Sequence, residues 1–250
     1  MKSSTRVRSH SCARLSQQTK ALAFIFLFLF CCELPKAHSA IVSTSGSVVQ
    51  IAPPTSVNLG ALESDTSAEL FAERSSVLLA NSLNADVSHP GAVNSQVTLS
   101  PSPIAAGQRV DSYLIHADPV GPGSTTSFTY EGSVTFDTPI LGLMWSDGTL
   151  DASDPILGSP ATVYGPDTMY RGYEGPGLTS PRDSLVLSQD RLTLNFALRT
   201  TEYYDELRIV TASIPEPATI SLLALLPLTL SRRHCISRSQ HRLQQPHPSQ

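Results

Sequence analysis

Between Ile41 and Ser213 this 250-residue chain has no cysteine and no lysine. Its four cysteines, Cys12, Cys31, Cys32 and Cys235, all lie outside that span. A disulfide framework is therefore excluded for the central segment. So are a cysteine nucleophile, a Schiff-base lysine and a phosphate-binding P-loop. Cations are scarce as well: seven arginines stand against nineteen aspartates and glutamates, a balance of −12 where the whole chain carries −4. Such acidity argues against nucleic acid as a partner and against adsorption to anionic lipid. The Gly-x-Ser-x-Gly elbow of the common hydrolases is absent. Apolar runs long enough to span a bilayer, about 20 residues, are also missing.

Two shorter apolar runs are present, one near each end. The first, "ALAFIFLFLFCC" (Ala21 to Cys32), follows the basic residues Lys2, Arg6, Arg8, Arg14 and Lys20 and precedes the small residues Ala37, Ser39 and Ala40. A basic leader, an apolar stretch of about 12 residues and a small-residue cleavage site together read as a secretory signal. The second lies in "SIPEPATISLLALLPLTLSRRH" (Ser213 to His234). Its prolines hold the backbone extended ahead of the apolar run, and Arg232 and Arg233 favour the cytoplasmic side. Ala218 to Leu230 would make a helix only about 20 Å long against roughly 30 Å of hydrocarbon, and Pro227 would kink it. That length suits a transient stop better than a permanent anchor.

Pro215-Glu216-Pro217, the apolar run and the Arg232-Arg233 pair occur in that order, and the stretch resembles the PEP-CTERM sorting signal of exosortase substrates in bacteria. The resemblance implies export through the secretion translocon, removal of the leader by signal peptidase, a temporary stop in the inner membrane, and processing by an exosortase. It implies delivery to the cell surface or extracellular matrix. The signal usually ends soon after its arginines, whereas here 17 further residues follow, polar and without hydrophobic periodicity.

The central segment is patterned for strands. In "RLTLNFAL" (Arg191 to Leu198) Leu192, Leu194, Phe196 and Leu198 share one face, and "SVTFD" (Ser133 to Asp137) alternates in the same way. "QRVDSYLIHA", "PILGLMW", "DSLVLS" and "DELRIVT" are further candidates, and "LSQDRL" reads as a hairpin connection. "SDTSAELFAERSSVLLANSLNADV" (Ser64 to Val87) admits a helix around Ala68 to Leu83, but two strands fit its neighbours better. "DPVGPGS", "SDGTLDASDP", "GPDT" and "GPGLTSP" read as turns and loops. The expected architecture is all-β: an antiparallel, jelly-roll-like β-sandwich over 41–213. A signal helix over 1–40 precedes it. The sorting signal, with a short transmembrane helix, spans 214–233, and a disordered tail 234–250. The runs "AGQRVDSYLIHADPVG", "GSVTFDTPILGLMWSDGTLDASDPILGSPATVY" and "DELRIVT" resemble exported domains found ahead of PEP-CTERM signals. That likeness implies an extracellular β-domain and carries no catalytic residues over.

Candidate chemistry is sparse. Asp147, Asp151 and Asp154 place three carboxylates in one short stretch. In a loop they would be candidate Ca²⁺ ligands, although aspartate also fills turns through its own hydrogen bonds. Trp145, Tyr164, Tyr170 and Tyr173 near Arg171 could form a sugar-binding platform or simply fill the core and edge of the sandwich. His89 and His116 are the only histidines of the segment, and a structural role is the simpler reading for each. Glu202 with Asp205 or Glu206 offers the two carboxyls a glycosidase needs, but such pairs arise by chance among nineteen acids. The expectation is a non-enzymatic, structural or adhesive exported protein. A lectin-like or calcium-dependent module contacting extracellular polysaccharide is the alternative, and a secreted glycan-processing enzyme a second one.

Overall fold

The computed structural model describes residues 39–93, 102–121, 126–165, 171–172, 183–201 and 203–214. The expected signal helix, the sorting motif Pro215, Glu216, Pro217, Arg232 and Arg233, its short transmembrane helix and the tail lie outside the described residues. So do Tyr170, Tyr173 and Glu202. Among the described residues no helix is long and apolar enough to cross a membrane.

Twelve strands and one helix make up the described chain. They are β1 (Ile41–Gly46), β2 (Val48–Gln50), β3 (Ala68–Leu78), β4 (Leu83–Ala85), β5 (Gly91–Val93), β6 (Ser102–Ile104), β7 (Arg109–Ala117), β8 (Phe128–Phe136), β9 (Ile140–Met144), α1 (Asp147–Leu157), β10 (Ser184–Leu187), β11 (Thr193–Thr200) and β12 (Asp205–Ala212). One five-stranded sheet runs β1-β8-β11-β10-β5, the other β2-β3-β7-β12-β9, and β4 and β6 form a separate ribbon. Neighbours are antiparallel except β2 and β3, which run parallel. The all-β expectation holds, and Ser64 to Val87 does contain two strands, β3 and β4.

The alternation read in β11 is the alternation observed: Leu194, Phe196 and Leu198 are buried, while Asn195 is exposed. These side chains meet Leu70, Tyr113, Ile115, Leu207 and Ile209 from the second sheet in one apolar cluster between the two sheets. Strands β7 and β12 are buried on both faces. The reason is that the outer face of their sheet is also covered, by α1 and the chain around it. A second cluster, including Phe71, Leu114, Met144, Leu150, Leu157 and Val210, fills that layer. A strand covered on both faces loses the simple polar-outside pattern.

Helix α1 corrects the expectation that "SDGTLDASDP" is loop. Its intrinsic propensity is poor, with Gly148, Thr149, Ser153 and Pro155 in its body. What favours it is tertiary. Leu150, Ser153 and Leu157 recur at helical spacing and are buried on one face. At its start the Asp86 carboxylate accepts hydrogen bonds from the backbone N–H groups of Trp145 (2.7 Å) and Ser146 (2.9 Å). It also accepts from the hydroxyls of Ser146 (2.7 Å) and Thr149 (2.7 Å). A carboxylate at a helix N-terminus is favourably placed against the macrodipole.

The sandwich is closed at both open edges by chain that switches sheets. Gly46 pairs with Gly132 in the first sheet, and Val48, two residues on, pairs with Ala68 in the second. On the other side Val87 bridges to Leu143 of β9, and Gly91 then pairs with Leu187 of β10. The first corner needs glycine. Gly46 has φ +73°, and a Cβ there would lie 2.1 Å from the Glu131 carbonyl oxygen. Replacing Gly46 by alanine is therefore expected to destabilise the fold by at least about 1–3 kcal/mol, the cost of a left-handed non-glycine residue before the clash is added. The shift in the urea unfolding midpoint measures it; a midpoint unchanged from wild type would refute the corner assignment.

Candidate functional site

The most concentrated chemistry in the described chain is a buried network on the outer face of the second sheet, under α1. Alternation along β12 sends Leu207 and Ile209 to the inter-sheet core and Glu206 and Arg208 to the covered face. On β3, Glu69, Phe71 and Glu73 share that covered side. Register places Glu206, His116 and Glu69 opposite one another across β12, β7 and β3.

Arg208 is fully buried and almost saturated. Its Nε and Nη2 donate to the two oxygens of Glu73, each at 2.7 Å, and Nη2 also reaches Asp154 Oδ1 at 2.7 Å. Nη1 donates to the Leu150 carbonyl and to the Ser153 hydroxyl. Arg171 is buried as deeply. Its Nε donates to Glu206, its Nη1 to Asp151 (3.0 Å) and Asp154 (2.6 Å), and its Nη2 to the second oxygen of Asp154 (3.0 Å). Asp154 therefore clamps both guanidiniums, and the network opens to solvent only at its acidic end: the Asp154 side chain is 17% exposed and that of Asp151 36%. Burial alone would lower each arginine's pKa. For Arg171 the charges of Glu206 and Asp154 outweigh it, and for Arg208 those of Glu73 and Asp154, so both stay above the ordinary arginine value.

Tyr164 lies against both cations, with its ring centroid 5.4 Å from the Arg171 guanidinium carbon and 5.6 Å from that of Arg208. Its hydroxyl donates to Glu73 (2.8 Å) and accepts from the Ser159 N–H (2.7 Å). Burial, then the nearby Glu73 charge, pushes the phenol well above its usual range. Trp145 is buried in the inter-sheet core. The two described members of the expected sugar platform are thus turned inward and engaged with protein.

The three aspartates separate in the same way. Asp151 and Asp154 neutralise arginines, while Asp147 accepts the Arg171 N–H at 3.2 Å. Among the described residues no group of three histidine, cysteine, aspartate or glutamate side chains is placed to hold a metal ion. Asp205 and Glu206 are consecutive on β12 and so face opposite sides of the sheet. Glu202, common to both carboxylate pairs read from the sequence, lies outside the described residues.

His116 continues the network. Its Nδ1 is 3.0 Å from Glu206 Oε1, and its Nε2 faces Asp118 Oδ2 at 3.9 Å. Glu69 Oε2, His116 Nε2 and Asp118 Oδ1 are buried without a hydrogen-bond partner among the described residues. Burial raises the pKa of both Glu69 and Asp118. A histidine oriented by a glutamate is half of a nucleophilic triad, but His116 and Glu206 are fully buried and no Ser, Cys or Thr nucleophile bonds to the ring among the described residues.

Two outcomes test this electrostatic layout. Arg208→Met leaves Glu73 buried without its cation and removes one of the two guanidiniums on Asp154, and is expected to cost about 3–5 kcal/mol in urea unfolding. A cost under about 1 kcal/mol would mean that the network is peripheral. Glu69 and Asp118 bind a proton more tightly in the folded protein than in the unfolded chain. They therefore weaken the fold above their raised folded values, and the loss is relieved as pH falls toward the ordinary 4.5 and 3.8. Glu69→Gln is accordingly expected to stabilise the protein at pH 7 by on the order of 1 kcal/mol and to give no gain below about pH 4. A variant equally or more destabilised at pH 7 would contradict that sign.

In comparisons with protein-family models, curated proteins and solved structures, nothing matched this chain.

Proposed function

We propose that the chain is a non-enzymatic exported bacterial protein, delivered by a PEP-CTERM sorting signal to the cell surface or extracellular matrix, where its acidic β-sandwich serves as a structural or adhesive component. The observation that carries this reading is the ordered set Pro215-Glu216-Pro217, an apolar run and Arg232-Arg233 at one end, opposite a basic leader and apolar h-region at the other. Both buried guanidiniums are committed to carboxylates of the same domain, and His116 and Glu206 are buried.

In this proposal signal peptidase, the secretion translocon and an exosortase are processing partners, the inner membrane is a temporary station, and extracellular polysaccharide is the medium in which the domain functions. The jelly-roll-like character of the sandwich and the two terminal helices belong to the same proposal. A body of −12 with arginine as its only cation stays soluble and resists self-association in such a medium.

Mass spectrometry of the protein recovered from the surface of the producing cell tests the route. The surface form is expected to lack Arg232 and Arg233, with its new C-terminus near Pro215-Glu216-Pro217. Intact Arg232-Arg233 on most surface molecules would refute the processing claim.

A further inference from the structure

We infer that the outer face of the first sheet carries a binding groove for an uncharged polysaccharide chain. The inference rests on the export reading above for the place where such a polymer is met.

Alternation in β8, β10 and β11 sends Val134, Leu185, Leu194 and Phe196 to the inter-sheet core, so the residues between them face outward. Register then lines these up in rows across the strands. Ser45 of β1, Ser133 of β8, Asn195 of β11 and Val186 of β10 stand opposite one another in turn. Beside them Glu131, Ala197 and Ser184 form a second row. The two rows line one open groove of about 680 Å³. It crosses from β1 to β10, three strand steps of about 4.8 Å each. Whereas α1 covers the outer face of the second sheet, Asn195, Ser184 and Val186 here are exposed.

Charge narrows the ligand first. The body carries −12, yet the side chains that β1, β8, β11, β10 and β5 turn outward include only one carboxylate, Glu131, and one guanidinium, Arg199. An anionic polymer is repelled by the domain's overall field, and a cationic one is drawn to its acidic surface elsewhere. Hydrogen bonding narrows it further. The Ser45, Ser133 and Ser184 hydroxyls and the Asn195 amide both donate and accept, which matches the mixed character of sugar hydroxyls. Val186, 40% exposed and diagonal to Ala197, adds an apolar strip for the C–H face of a sugar ring. A protein occupant is disfavoured by the same composition. The outward side chains of the groove include no Trp, Tyr, Met or Arg, the residues that anchor protein interfaces, and are rich in serine, which is depleted there. Two copies of so acidic a chain also repel each other.

Affinity electrophoresis of the full chain through gels containing dextran, galactomannan or xyloglucan, with alginate as the anionic control, tests the groove. At least one uncharged polymer is expected to retard the protein, and alginate is not. Asn195→Glu and Ser184→Glu, both at exposed positions, are expected to weaken the retarding interaction by about tenfold, the equivalent of one good hydrogen bond, with the melting temperature unchanged. Gln189→Glu, exposed in the β10–β11 connection, is expected to bind as wild type. Absence of retardation by every uncharged polymer, retardation by alginate alone, or groove variants that bind as wild type overturns the inference. So does a concentration-dependent dimer that Asn195→Glu dissolves, which would make this face an interface between copies. Each of these results leaves the export route standing, because that route falls only with intact Arg232-Arg233 on the surface form.

Discussion

Arg208 sits in the middle of β12, an interior strand of the second sheet, with its charge fully buried. The folded structure depends on how that charge is met. Its fork grips Glu73 from β3 and shares Asp154 of α1 with Arg171, which in turn holds Glu206 on Arg208's own strand. The helix has little reason to exist without them. Its sequence is rich in residues that favour turns, and its aspartates would repel one another if both guanidiniums were absent. Remove the cations and the cover over Phe71, Leu114 and Met144 has no fastening at that point. Buried ion pairs add little net stability compared with an apolar replacement of the same shape, but a broken one is expensive. The network is therefore best understood as a device for uniqueness: it admits one placement of α1 over the sheet.

The same economy shows at the edges. A sandwich without disulfides must prevent its edge strands from pairing with other chains. Here the covalent chain itself wraps both sides. At one side Gly46 turns from the first sheet to the second. At the other, the segment from Val87 to Gly91 turns back, and Arg191, itself at φ +61°, donates from the β10–β11 hairpin to the carbonyls of Ile140 and Leu141 on β9. The Asp86 cradle adjoins that second corner, so the start of α1 and the closure of the edge share one carboxylate.

Strands with one solvated face were legible in the sequence, because period two survives when only one side is buried. That is why β8 and β11 could be read with their facing. Strands β7 and β12 were legible as strands but not as doubly covered ones, since His116, Glu206 and Arg208 look like solvent residues until their partners are known. Those partners are distant: Glu73 is 135 residues from Arg208, and Glu206 is 35 from Arg171. Pattern reading has no access to such pairings. The helix was missed for a different reason. Its composition speaks for a turn, and tertiary contacts overrode it. One signal was present all the same: Asp147, Asp151 and Asp154 are spaced by four and three, the spacing of a single helix face. The three candidate ligands all contact Arg171. Tyr164 was picked out as an aromatic near Arg171, and that neighbourhood is real, although ring and cation meet inside the protein.

The absence of lysine then has a structural explanation. Each described arginine bonds inward or along the surface through its planar fork: Arg74 to the Ile156 carbonyl, Arg109 to Ser76, Arg191 to β9, Arg199 to Ser127, and Arg171 and Arg208 to carboxylates. Tasks of this kind need several donors in fixed directions, which an ammonium on a four-carbon stem does not supply. The cations are used as fasteners. Meanwhile Glu63, Asp65, Glu131, Asp137 and Asp190 remain exposed, so the charge left on the outside is negative. Arginine thus fixes the helix and ties the sheet edge, while the exposed carboxylates set the sign of the surface. Those consequences are coupled: extra surface cations would reduce the repulsion that keeps copies apart, and the buried ones cannot be given up without loosening the fold.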